Sequence, residues 1–191
     1  AANPKIEVLP KLVLLDEPEF RPREITAAFW KGFIHYGVPI VTFNGRGFDI
    51  PLMEMAAYRY WISVPKHFSE KFGSRYRFGD KHIDLMDWLT NFGAVRQGYS
   101  LNLLSKLLGK PGKMSTKGED VQDMFSRGLK KEINEYCACD VLDTYFVFLR
   151  YLVLNGTLTI EKEQETVRKA KAWIEEKEKS MPFLREYLDN W

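Results

Sequence analysis

Apolar and polar positions follow two rhythms along the chain. In "PKLVLLDEPEF", residues 12–15 form a short apolar run stopped by acids and Pro18, the pattern of a strand. In "PREITAAFWKGFIHYG" the apolar residues Ile25, Ala28, Phe29, Phe33 and Ile34 recur at helical spacing, with Pro22 before them and Gly37 after. "PIVTFNG" predicts a second strand from its β-branched and aromatic residues. "IPLMEMAAYRYWI" predicts a helix, with Pro51 suited to its first turn. The first quarter therefore reads strand, helix, strand, helix, an α/β pattern with a parallel crossover.

Further along, residues 63–82 read as a loop or short helices. "IDLMDWLTNFG" allows a strand that continues as a helix, and periodicity alone does not decide. Ser100 is the expected N-cap of a helix over "LNLLSKLLG", with Gly109 as its stop. "KPGKMSTKGED" is a loop and "VQDMFSRG" a short helix. A long helix is expected from about Lys130 to about Leu154, ending before Asn155 and Gly156. Another runs from about Ile160 to Lys179, with Glu161, Glu163 and Glu165 near its positive end. Its charge predicts a solvated outer helix. "PFLREYLDNW" closes as a short amphipathic helix. The expected organisation is one domain over 1–191, a core over 1–155 and a helical extension over 156–191.

Composition narrows this picture only a little. Hydrophobic content of 45% and charged content of 28% are globular. A net charge of +2 gives no strong overall pull on nucleic acid, so such a ligand needs a local basic face. Cys137 and Cys139, one residue apart, suit neither a disulfide nor a C-x-x-C knuckle; they read as two thiols on a helix in a reducing compartment. No stretch approaches the roughly 20 apolar residues of a membrane span, and no signal-peptide pattern is present, so a cytoplasmic location without a membrane partner is the expectation. His35, His67 and His82 show no metal-ligand spacing.

The candidate chemistry lies in two places. "VTFNGRGFDIP" sets one acid, Asp49, where a strand gives way to a helix. Its simplest role is an N-cap. Its position after Asn44 and two glycines, at the C-terminal end of a strand, is also where open α/β sheets place ligands. In "EYCACD", Tyr136 and Asp140 are four apart and share a helix face. A carboxylate there suits a hard cation and a phenol suits the orientation of a water; chance spacing of a buried Tyr and a surface Asp is the alternative.

The ordered set is more specific than its parts. N-G-x-x-F-D-x-P after a strand, D-L beyond it, S-L-x-x-L-x-x-x-L-G, then Y-x-x-x-D on a helix resembles the DEDDy branch of the ribonuclease H-like 3′–5′ exonucleases. The likeness is greatest to the proofreading exonuclease of B-family DNA polymerases and to the stand-alone bacterial exonucleases related to it. Matching stretches run from about Leu12 to Arg150; "LGKPGKM" and "FLREYLDNW" are similar to the stand-alone group.

The resemblance implies a mixed sheet flanked by helices and a pair of divalent cations, Mg²⁺ or Mn²⁺, held by carboxylates. By motif match Asp49 and Asp140 are metal-holding acids and Tyr136 orients the attacking water. Asn44, Gly45 and Phe48 meet the terminal nucleotide, the glycines by letting it approach the backbone and Phe48 by stacking. Lys113 and Lys117 are candidates for phosphate contacts, and Asp84 matches the D-L position in a supporting role.

The implied substrate is a single-stranded DNA 3′ end, with RNA not excluded. The family's first motif, D-x-E, is not found in this chain: Asp16 is followed at the second position by Pro18, and Glu17 with Glu19 starts on the wrong acid. Residues 12–15 match the family's third strand, so the first two strands are missing from this chain. The favoured expectation is that they lie upstream of Ala1; the alternatives are that a separate chain supplies them, that they are replaced, or that this is a non-catalytic relative. The chain as written is expected to bind metal weakly.

"PKHFSEKFGSRYRFGDKH" interleaves Lys66, Lys71, Arg75, Arg77 and Lys81 with Phe68, Phe72, Tyr76 and Phe78. Cations and rings in this order suit a single strand. A loop with packed rings and solvated charges has the same pattern. The other functions to weigh are a non-catalytic or incomplete exonuclease-fold module that binds single strands, and an interaction domain docking through the helix from 160.

Overall fold

The computed structural model describes residues 12–36, 38–69, 73–95, 98–113 and 118–191. It is a mixed α/β fold, mostly helical, with a small parallel sheet. The chain divides into two compact units, one over residues 14–99 and one over residues 100–191 together with residues 12 and 13.

In the first unit, α1 (Pro22–Tyr36) leads to β1 (Ile40–Thr42), α2 (Asp49–Arg59), α3 (Pro65–Phe68), β2 (His82–Asp84) and α4 (Leu85–Leu89). Strands β1 and β2 are parallel, pairing Ile40 with His82, Val41 with Ile83 and Thr42 with Asp84. A parallel pair needs a crossover, which α2 and α3 supply. "IDLMDWLTNFG" thus opens as a strand and continues as a helix. Trp30 of α1 is buried against Ala57 and Val64, with Phe29, Phe33, Met53 and Ile62 packed around them. The Trp30 indole N–H donates to the Met53 carbonyl at 3.2 Å, so the ring's polar edge is satisfied inside this small core.

The strand expected at residues 12–15 does not form. A short apolar run becomes a strand only with an edge to pair with, and here the backbone turns instead, with φ of 53° at Asp16 and 49° at Phe20. Asp16, weighed above as a possible first-motif acid, is committed to this turn. Its carboxylate accepts from the Arg21 backbone N–H at 2.7 Å and from the Arg21 guanidinium at 2.6 and 2.9 Å, just ahead of α1. That pairing holds its pKa down at about 2. The expected crossover between this run and β1 is accordingly replaced by the one between β1 and β2.

The second unit contains α5 (Leu101–Leu107), a 3-10 turn (Gly118–Asp120), α6 (Val121–Ser126), α7 (Lys130–Leu154), α8 (Ile160–Lys177) and α9 (Leu184–Asp189). The stop and start signals fall where the sequence places them. The Ser100 hydroxyl accepts from the Leu103 N–H, and Gly109 leaves the helix at φ +65°. Gly156 closes α7 in the same way at φ +75°.

Cys139, Leu142, Phe146 and Leu149 of α7 pack on Ala170 and Ile174 of α8 and on Leu184 and Tyr187 of α9. The solvated outer helix expected from residue 160 therefore needs correction. Its composition is polar, but Glu163, Thr166, Ala170 and Ile174 recur at helical spacing and are buried. Cys137 is exposed and Cys139 buried, both as free thiols, and burial pushes the Cys139 thiol up to about 12. No helix among the described residues is long and apolar enough to cross a membrane.

Candidate active site

The strand end that carries Asn44 is held by a carboxylate from the neighbouring strand. Asp84 is buried at the end of β2 and accepts three backbone N–H groups: Asn44 at 2.9 Å and Met86 at 3.0 Å on Oδ1, and Arg46 at 2.8 Å on Oδ2. It caps α4 through Met86 and ties down the turn after β1 through the other two. Arg46 adds a second tether. Its guanidinium donates to the His82 carbonyl at 2.8 Å and lies 3.4 Å from the Asp87 carboxylate. Thr42 and His82, on the two strands, share a hydrogen bond of 2.8 Å. Burial lowers the His82 pKa to about 4, with the Arg46 charge acting the same way, so the ring is neutral at physiological pH. His67 is likewise a buried hydrogen-bonding residue, set between Ser74 at 2.6 Å and Glu54 at 2.7 Å.

Within the turn, Asn44 takes the left-handed conformation at φ +61°, which Asn tolerates better than most residues. Its carbonyl accepts from Gly47 and Phe48, both at 3.1 Å. The glycines also have a reason internal to the turn. A Cβ on Gly45 would lie 2.4 Å from the Thr42 side chain, and one on Gly47 would lie 2.7 Å from the Asn44 Oδ1. Phe48 occupies the N-cap position of α2 without a capping side-chain bond, and its ring is 63% exposed. Asp49 is the first helical residue, not the N-cap, because Phe48 takes the non-helical position. Its carboxylate is left at the positive end of α2, open to solvent on one side. Desolvation by the surrounding chain raises its pKa, and the nearby charge of Asp84 adds to this.

In the second unit, Tyr136 and Asp140 do share a face of α7. Desolvation, followed by the charge of the nearby Asp140 carboxylate, raises the Tyr136 phenol's pKa well above its ordinary value, so it stays protonated. The 3-10 turn approaches this hydroxyl: a Cβ on Gly118 would lie 4.0 Å from it, and the Asp120 charge contributes to the phenol's shift. Sequence reading did not single out Asp120, which nothing in its local pattern marks.

It also passed over Asp143, one turn beyond Asp140 and buried at 1% exposure, although the i, i+3 spacing of the two acids was visible. The Tyr187 hydroxyl donates to Asp143 at 2.7 Å. Burial nevertheless pushes the carboxyl up to about 6, and the Asp140 charge adds to this. The folded chain therefore holds this proton more tightly than the unfolded chain does. The associated stabilisation is full below about pH 4 and is lost as pH rises through about 6. Asp143→Asn, which stays neutral, is expected to match the wild type near pH 4 and to exceed it by about 2–3 kcal/mol near pH 7, measured by urea unfolding across that range.

Lys113 is exposed, and its backbone N–H donates to Asn102 Oδ1 at 2.8 Å; Lys117 lies outside the described residues. The basic and aromatic loop is largely self-paired. Arg75 meets Glu54 at 3.0 Å and Arg77 meets Asp87 at 2.6 Å, while Phe78 packs against Phe92 at 5.4 Å between ring centroids. Lys71 and Phe72 also lie outside the described residues.

Asn44, Gly45, Phe48, Asp49 and Asp84 are thus gathered in one unit, and Tyr136 and Asp140 in the other. Asp49 and Asp140 are hard oxygen donors of the kind Mg²⁺ prefers. Among the described residues, however, no group of three or more His, Cys, Asp or Glu side chains stands ready to hold a metal ion.

A family model described as a predicted 3'-5' exonuclease related to the exonuclease domain of PolB matches residues 2–191, and the chain belongs to that family. Neither the curated proteins nor the solved structures searched gave a match.

Proposed function

We propose that this chain is the catalytic part of a metal-dependent 3′–5′ exonuclease of the DEDDy type, acting on single-stranded DNA ends. The observation that supports it most is Tyr136 beside Asp140 on one face of α7, in a chain matched to the exonuclease family over almost its whole length. A ribonuclease H-like sheet accommodates the parallel pair β1 and β2 as its later strands. Asp49 and Asp140 are the carboxylates that would hold divalent cations. Bound there, Mg²⁺ or Mn²⁺ would supply charge neutralisation at the phosphodiester and a more acidic water.

The chain's own residues do the remainder. Phe48, exposed at the start of α2, stacks on the terminal base. Asn44, fixed by the Asp84 clamp, meets the terminal nucleotide, and Lys113 neutralises a phosphate. Tyr136 stays protonated and therefore positions the attacking water through its hydroxyl rather than removing a proton from it.

The test uses a 5′-labelled single-stranded oligonucleotide. With Mg²⁺ or Mn²⁺ the protein shortens it stepwise from the 3′ end and releases mononucleotides, and EDTA stops the release. Strand binding indifferent to divalent metal, with no product from this chain or from a longer form of it, would replace this reading with a non-catalytic binding module.

A further inference from the structure

A cavity of about 240 Å³ opens between the end of α5 and the facing sides of α7 and α8, wholly inside the second unit. Leu108, Phe146 and Val167 make its apolar wall. Lys110, Arg150 and Arg168 bring positive charge, against which the pocket sets one acid, Glu163. Glu163 is buried at 3% exposure. Its Oε1 takes the Arg150 Nε at 2.7 Å, while Oε2 is buried with no hydrogen-bond partner among the described residues.

An orphaned carboxylate oxygen on an otherwise committed side chain is costly, because burial removes its water without giving it another donor. Lys110 is equally committed. Its ammonium sits 3.9 Å from the Trp191 ring centroid and 5.1 Å from that of Phe146. Burial, reinforced by the charge of Lys171, lowers its pKa to about 8.

We infer that this cavity is a binding site for a small organic phosphate carrying a hydroxyl or amino donor, of the size of a single mononucleotide at most. Three cations against one acid select an anion, and the guanidinium groups of Arg150 and Arg168 match phosphate oxygens. The free Oε2 of Glu163 selects a donor on the same molecule, which bare phosphate at neutral pH serves poorly. The apolar wall takes the body of the ligand, and the volume lies below the roughly 300 Å³ at which ordinary small-molecule pockets begin. Along α7, Phe146 and Arg150 are roughly 9–15 Å beyond Asp140 at about 1.5 Å per residue, so this is a different place from the Tyr136 pair.

The choice of a 5′-mononucleotide rests on the proposed exonuclease reading, whose product it would be; the pocket does not. Calorimetric titration of the full chain in EDTA, with 5′-deoxyadenosine monophosphate, deoxyadenosine and inorganic phosphate as probes, separates the two. The expected result is saturable one-to-one binding of the mononucleotide, tighter than either of the other probes. Arg168→Ala, an exposed position, should weaken it tenfold or more. Glu163→Gln should narrow the gap between mononucleotide and inorganic phosphate. Asp140→Ala should leave binding unchanged, so that failure of the nuclease reading does not touch this one. Absence of saturable binding, or mononucleotide binding as tight in a folded Arg168→Ala protein, overturns the inference. So does equal affinity for mononucleotide and inorganic phosphate with no response to Glu163→Gln.

Discussion

Replacing Asp140 by Ala will lower mononucleotide release from a single-stranded 3′ end by about a thousandfold or more, in whatever form of the protein shows that release. The substitution removes the carboxylate proposed to hold a cation and, with it, the negative charge beside the Tyr136 hydroxyl. Tyr136→Phe keeps the ring's packing and the carboxylate, so its loss should be smaller, about ten- to a hundredfold. The two variants together discriminate between roles. A merely structural Asp140 would give a protein with a changed circular dichroism spectrum or thermal midpoint and a proportionate loss of activity. A folded Asp140→Ala protein with full activity would sink the assignment.

The second large effect is on stability. Asp84→Asn should destabilise the first unit by about 2–3 kcal/mol and Asp84→Ala by more, read from urea midpoints. The asymmetry follows from the atoms. Both carboxylate oxygens accept, Oδ1 from Asn44 and Met86 and Oδ2 from Arg46. An amide side chain keeps one acceptor and turns its NH₂ against the remaining backbone N–H, leaving a buried donor unsatisfied. Alanine removes all the acceptors and leaves every one of those donors without a partner. An Asp84→Asn protein as stable as the wild type would mean that the turn holds itself.

What could be read beforehand was whatever is encoded locally. The N-cap at Ser100, the stops at Gly109 and Gly156, and the long periodic stretch of α7 are written in adjacent residues, and they appear where expected. The Tyr136–Asp140 pair was legible for the same reason, since a helix fixes which side chains are neighbours.

What local pattern did not disclose depends on distant partners. Residues 12–15 have a strand's composition but pair with neither strand of the small sheet. Glu163 looks like one more charge on a polar helix until α7 covers it and Arg150 takes one of its oxygens. Asp84 was placed in a supporting role from its D-L context, but the means of support, a clamp on a turn some 40 positions earlier, is visible only once β1 and β2 lie side by side. The glycines around Arg46 were expected to make room for a ligand, and the nearer claimants on that room were Thr42 and Asn44.

The Asp84 clamp has a consequence for how this part of the chain moves. The end of β1, the turn to α2 and the start of α4 all hang on one carboxylate, so none of them can fray alone. Their amide protons are expected to exchange with solvent together, as one opening unit that includes the β1–β2 pairing. A nucleotide end that meets Asn44 would then meet a surface already set before it arrives, with little ordering left to do on contact.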